Sequence, residues 1–128
     1  MLPLVYSRLW LAGTLLIASG IVIGSLLPGP VVAAVASYDK FEHAGAYFAL
    51  TLWLAGLVVR RRYAWAALAA FALGAALEAA QGLLTVTREP DGLDLVANGA
   101  GIVFALALAY LGLGGWAARV ERMLGAES

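Results

Sequence analysis

The chain contains no cysteine. Disulfides, thiolate nucleophiles and cysteine-ligated zinc are therefore excluded. Charge is also scarce, at 12% of residues against 63% hydrophobic, with a mean hydropathy of +0.91. A soluble domain carries about 25% charged residues. Too few polar side chains remain to clothe a water-facing surface, so the solvent for most of this chain is expected to be lipid. Net charge is zero, which gives no reason to expect a nucleic acid as partner. There is a single histidine, His43. No HExxH or other compact ligand spacing is present, so no metal is expected from spacing alone. No hydroxyl sits in a strained nucleophile-elbow sequence either. Near the presumed outer face the hydroxyls are Ser37, Thr85, Thr87 and tyrosines.

What the chain does have is long apolar runs. About 20 apolar residues at 1.5 Å each cross a hydrocarbon core about 30 Å thick. Four runs reach that length, at about Leu9–Leu27, Phe41–Val59, Tyr63–Leu84 and Leu95–Trp116. The first stops at Pro28-Gly29-Pro30, where a helix cannot continue. Short links between the runs predict an all-α fold, an integral membrane four-helix up-down bundle in a single domain over residues 1–128. Arg8, Arg60, Arg61, Arg62, Arg119 and Arg122 flank one side, whereas Lys40 and Arg88 lie on the other. By the positive-inside rule both termini are expected in the cytoplasm. Trp10, Tyr63, Trp65 and Trp116 fall near that boundary, as an interfacial aromatic belt would. An alternative reads Ala34-Val35-Ala36 before Ser37 as a signal cleavage site, which would leave three helices and the same outward face.

The remaining polar residues gather towards the outer side. Asp39, Lys40, Glu42 and His43 stand at the start of the second run, and Glu78 and Gln81 near the end of the third. Arg88, Glu89, Asp91 and Asp94 occupy the following loop, with Asn98 one turn into the fourth run. Helical rise puts Glu78 roughly 9 Å below the outer boundary and His43 and Asn98 near 5 Å. Glu78 shares a face with Gln81, Asp94 with Asn98, and Asp39 with His43 and Tyr47. A carboxylate at the centre of a lipid-facing helix costs about 2.5–3.5 kcal/mol, less near the interface. Glu78 is therefore expected to face its neighbours, protonated or paired with Arg88, Lys40 or His43. Small residues around it, Gly74, Ala75, Ala79 and Gly82 with Gly99, Ala100 and Gly101, permit close helix approach.

Plainer roles compete with these. Asp39 with Glu42 has the form of a variant capping box, and Asp91 or Asp94 suits the cap of the fourth helix. Glu89 reads as a solvated loop charge, Tyr47 as core, and the Arg60–Arg62 run as a topology signal that meets anionic headgroups. If chemistry occurs, His43 and Glu78 are the catalytic acid–base candidates. Asp39, Lys40, Tyr47, Gln81, Arg88, Asp91, Asp94 and Asn98 are the ligand-binding candidates. Lys40 and Arg88 favour an anionic group, such as the phosphate of a lipid carrier or headgroup. Transport ranks below binding and catalysis because Thr14, Ser19 and Thr51, which satisfy themselves on a helix, are nearly all the polarity of the inner half.

The same residues resemble the VanZ-like family of small bacterial membrane proteins. The resemblance lies in Asp39-Lys40-x-x-His43-x-x-x-Tyr47, Glu78-x-x-Gln81 and Arg88-x-x-Asp91-x-x-Asp94-x-x-x-Asn98-x-x-Gly101, in that order over the second to fourth runs. One position departs, with Ala105 where a further glycine is expected. The family takes its name from a component of a teicoplanin-resistance cluster. The resemblance implies a bacterial cell-envelope role in the cytoplasmic (inner) membrane, at peptidoglycan precursors or lipids, without implying that this chain confers resistance. It names no cofactor, no oligomeric state and no catalytic residue. A membrane-embedded hydrolase or transferase acting on a lipid-linked phosphate remains the alternative to a binding protein.

Overall fold

The computed structural model describes residues 1–27, 39–84 and 91–126, with Asp39 described by its backbone alone. Arg88, Glu89, Ser37, Thr85, Thr87 and the Ala34–Ser37 cleavage sequence lie outside the described residues. Among the described residues the chain is all-helical: α1 (Ser7–Leu26), α2 (Asp39–Leu57), α3 (Tyr63–Leu84), α4 (Gly92–Leu108) and a short α5 (Trp116–Met123). Three segments among the described residues are long and apolar enough to cross a membrane, Ser7–Leu26, Arg60–Leu84 and Gly92–Leu113. α2 is not among them, because Lys40, Glu42 and His43 crowd its first turn.

Local chemistry sets the helix ends. Leu27 turns to extended backbone (φ −64, ψ 143), as the residue before a proline is driven to do. Between α2 and α3 a single 3-10 turn, Arg60–Arg62, reverses the chain. α4 starts three residues earlier than the apolar run suggests, because Asp91 caps it by accepting the Leu93 N–H at 2.8 Å. The expected fourth span to Trp116 is corrected at its far end. A wide π turn, Ala109–Leu113, follows α4, and Gly112 and Gly115 take positive φ (122 and 66). Side chains rarely adopt such backbone, so these glycines let the chain turn back. The Gly115 N–H then donates to the Ala55 carbonyl at 2.9 Å, and α5 begins there as a separate helix.

Residue contacts fix the relative directions. Near their starts, α2 and α4 meet through Lys40 with Asp91 and Asp94; further along, Phe48 stacks on Phe104 at 5.5 Å. They therefore run parallel, and they form the most extensive helix pair. At Gly101 an added Cβ would lie 2.0 Å from the Ala44 carbonyl oxygen, so the two backbones touch there. α3 runs the other way, with Tyr63 against Tyr110 at one end and Glu78 near the start of α4 at the other. α1 lies alongside at the edge, Gly13 against Trp53 and Ser25 against Gln81. Tyr47, Leu50, Ala67, Ala70 and Ile102 form the core between α2, α3 and α4, with Ile17 and Ile21 of α1 packed on it. Of the α1 residues only Ser25 is buried. Leu9, Leu15, Leu16 and Ile23 project outward, an arrangement that needs an apolar solvent.

The four aromatics of the expected belt differ in exposure. Trp10 and Trp116 turn inward onto Trp53, three rings meeting edge to face at 5.2–5.8 Å. Tyr63 is buried, and Trp65 alone of the four is exposed. Each such ring pair contributes about 0.5–1.5 kcal/mol beyond its buried area. At this end the Leu2 N–H donates to the Leu57 carbonyl at 2.9 Å.

Candidate functional site

The other end of the molecule carries the polar cluster. Its rim is Lys40, whose ammonium donates to both Asp91 and Asp94. The Lys40 and Asp91 side chains are about half exposed, at 43% and 44%, whereas Asp94 is 7% exposed. The cluster thus begins in solvent and continues into the protein within one residue pair. The Lys40 ammonium beside it, aided by the Leu93 N–H, holds the Asp91 carboxyl below the usual aspartate range. Exposed pairs of this kind contribute little stability, because solvent screens them.

Below the rim, α2, α3 and α4 each contribute. His43 lies one turn below Asp39 on α2, and its Nδ1 is 3.0 Å from Asn98 Oδ1 on α4. Its Nε2 is 3.6 Å from Asp94 Oδ2. Glu78 enters from α3 and accepts the Asp91 backbone N–H at 3.1 Å. Asp91 therefore joins rim and floor, its side chain on Lys40 and its N–H on Glu78. Glu78, Asp94 and Asn98 are all buried, Asn98 at 1% exposure. One ligand atom from each of His43, Glu78 and Asp94 lies within 4.8 Å of the other two.

Tyr47 lies one turn below His43 on the same face of α2, 1% exposed. Gly74 places it: a Cβ there would be 3.0 Å from Asn98 Nδ2 and 3.2 Å from Tyr47 Cζ. Among the described residues the Tyr47 hydroxyl has no hydrogen-bond partner. An unmade buried hydrogen bond costs about 1–3 kcal/mol. The Thr51 hydroxyl, a further turn down, is likewise buried without a partner among the described residues. This corrects the expectation that it bonds its own helix, as Thr14 does to the Trp10 carbonyl at 3.0 Å.

Of the candidates read from the sequence, Lys40, His43, Tyr47, Glu78, Asp91, Asp94 and Asn98 thus fall in one cluster. Gln81 is buried beside it, but its amide donates to the Ser25 carbonyl at 2.8 Å and ties α3 to α1. Of the partners expected for Glu78, Lys40 is instead engaged by Asp91 and Asp94, His43 lies in the same cluster, and Glu78 itself accepts the Asp91 backbone N–H. Arg88 and the Asp39 side chain lie outside what the structure describes.

A third buried carboxylate, at the opposite end, is not expected from the sequence. Glu121 of α5 is 3% exposed. It accepts the Val5 and Tyr6 N–H groups, both at 2.9 Å, and the Trp10 indole N–H at 2.7 Å. Burial alone pushes its carboxyl up, but the three donors outweigh that and hold it below the ordinary value. It clasps the start of α1, whose first N–H groups lack helical acceptors. The only signal in the sequence is an acid among arginines, Arg119-Val120-Glu121-Arg122, which alone reads as a solvated helix face.

Fold and site together define an α-helical protein with segments long and apolar enough to cross a membrane and a buried ionisable cluster at one end. No protein-family model matches the chain, and no curated protein or solved structure matches it either. Its chemistry is therefore read from its own residues. The cluster offers hydrogen-bond donors and acceptors for a polar head, two buried carboxylates, and a histidine held between an amide and an acid.

Proposed function

We propose that this chain is a VanZ-like protein of the bacterial cytoplasmic membrane, a four-span up-down bundle with both termini in the cytoplasm. Its polar site faces outward and binds the anionic head of an amphiphile: a lipid-linked envelope precursor, a lipid headgroup or a glycopeptide-related molecule. One observation carries the reading. Polar side chains of three different helices meet at the end of the molecule opposite the arginines of positions 60–62, 119 and 122. Ionisable groups at membrane depth mark functional sites by default, because packing in lipid does not require them. Lys40 at the rim supplies positive charge, and Arg88 is the second cation that the sequence offers for it; Asn98 and the Tyr47 hydroxyl orient the head by hydrogen bonds. The exposed apolar face of α1 leaves the acyl chains in the bilayer.

The test is binding. Protein purified in detergent is offered phospholipids and polyprenyl pyrophosphate, and retained lipid is counted by native mass spectrometry. Selective retention of the phosphate-bearing lipids, weakened in Lys40→Ala, is expected. Equal retention of an uncharged lipid would contradict the reading.

A second reading, a membrane-embedded hydrolase or transferase of a lipid-linked phosphate, draws on the placement of His43 between Asn98 and Asp94. An imidazole so oriented suits general acid–base work. Turnover of the lipid pyrophosphate that is lost in His43→Ala or Glu78→Gln selects this reading. Retention without turnover selects the first.

A further inference from the structure

We infer that His43, Glu78 and Asp94 form a site for one divalent transition-metal ion of the zinc class, with the Tyr47 hydroxyl directed to what the ion binds in its open position. The ion site goes beyond the amphiphile reading, and the experiment below separates the two.

Geometry comes first. Two ligands each about 2.1 Å from an ion, at a near-tetrahedral angle, are about 3.4 Å apart. His43 Nε2 and Asp94 Oδ2 are separated by 3.6 Å, too long for a good hydrogen bond but close to that spacing. The Glu78 carboxylate completes a triangle whose atoms all lie within 4.8 Å of one another.

The histidine is also prepared in the manner of a ligand. With Asn98 Oδ1 as acceptor at 3.0 Å, His43 Nδ1 carries the proton. Metal-bound imidazoles characteristically give their other N–H to a carbonyl or carboxylate, which fixes tautomer and ring orientation. Here that arrangement turns Nε2 towards the Asp94 and Glu78 carboxylates.

Charge gives a third argument. Among the described side chains of the cluster, three carboxyl groups, of Glu78, Asp91 and Asp94, stand against the one ammonium of Lys40. Two of those carboxylates are buried. One divalent cation cancels this excess where it lies, and bound cations dominate local electrostatics. A nitrogen donor beside two carboxylates favours zinc, manganese, iron or cobalt over magnesium and calcium, which prefer all-oxygen shells.

Independent of these three residues, the Tyr47 hydroxyl is 1% exposed and has no partner among the described residues. It lies one turn below His43 on α2, its ring tip beside Asn98 and within electrostatic reach of Glu78. A buried hydroxyl left unmade calls for an acceptor. Three protein ligands leave a fourth position on the ion for a water or a ligand oxygen, and that oxygen is the acceptor Tyr47 lacks.

The experiment titrates the full chain, purified in detergent without added lipid and stripped with chelator, with Co²⁺ as a spectroscopic substitute for Zn²⁺. One equivalent of cobalt per chain, with visible absorption of a low-coordinate ion that Zn²⁺ abolishes, is expected. Asn98→Ala should weaken binding by about 10- to 100-fold, and Glu78→Gln and Asp94→Asn should abolish it. Because a ligand variant in a membrane protein can fail to fold, His43→Cys supplies a positive signal. The chain has no cysteine of its own, so a thiolate-to-cobalt charge-transfer band in that variant reports coordination at position 43. Absence of saturable binding to the wild type would overturn the site. So would binding unchanged in Glu78→Gln, or cobalt bound by His43→Cys without the band. Metal binding without lipid selectivity leaves the ion site standing and removes the amphiphile; the converse removes only the ion.

Discussion

At the scale of the residue, the positions of consequence are those whose side chains have no structural excuse. Tyr47 is buried with its hydroxyl unmade among the described residues, so Tyr47→Phe removes a penalty of about 1–3 kcal/mol rather than a bond. Metal- and lipid-free Tyr47→Phe protein is expected to denature no earlier than wild type in detergent, while its cobalt affinity falls. A clear loss of stability would show that the hydroxyl is already satisfied. Gly101 makes the opposite case, because its absent Cβ is what lets α2 and α4 touch. An added methyl would meet the Ala44 carbonyl oxygen at 2.0 Å, and backbone cannot swing aside as a side chain does. Gly101→Ala should cost about 1–3 kcal/mol, read as a lowered midpoint of thermal unfolding; an unchanged midpoint would mean the helices lie farther apart. Both positions could be singled out in the sequence, Gly101 by its place in the motif and Tyr47 by its spacing from His43. What each one touches could not. The contact lies across helices, and a single sequence records only contacts along them.

At the scale of the element, apolar length locates α1, α3 and α4 because lipid demands it, and it misjudges what polar or glycine residues do at the ends. α2 carries Lys40, Glu42 and His43 in its opening turns and is not among the segments apolar enough to cross a membrane unaided. An isolated α2 segment should therefore insert less efficiently than an isolated α1 in a glycosylation-based microsome assay. Replacing Lys40 and Glu42 by leucine should restore it, and equal insertion of the two native segments would contradict this. At the other end, hydropathy runs smoothly through Leu108–Trp116 and conceals the reversal at Gly112 and Gly115, which is a backbone property. That reversal creates α5 and brings Glu121 onto the start of α1. The Glu121 carboxyl is held below its ordinary value of 4.5 by the donors of Tyr6, Trp10 and Val5. The stability it contributes is then complete above that value and is lost as pH falls through the lowered one. Unfolding midpoints measured from about pH 6 to about pH 3 should drop more steeply for wild type than for Glu121→Gln. Parallel curves would show that Glu121 is not charged in the clasp.

At the scale of the whole molecule, the fold separates two ends. Arginines, the tryptophan trio and the Glu121 clasp gather at one, and Lys40, His43, Glu78, Asp94 and Asn98 at the other. The charge asymmetry of the sequence already implies this division, since basic residues and apolar lengths are both linear signals. The meeting of His43, Glu78 and Asp94 was legible only as an inference from cost, because three residues on three helices form no motif a spacing rule detects. Convergence and the proposed outward exposure can both be read in one measurement in this cysteine-free chain. Lys40→Cys and Asp91→Cys are combined, since those half-exposed side chains touch at the rim. Intact cells are then treated with a short, membrane-impermeant thiol cross-linker, with Arg61→Cys as the control for the opposite face. Rapid joining of positions 40 and 91, with position 61 protected until the cells are opened, is the result expected. No joining of the pair, or labelling of position 61 from outside, would contradict it.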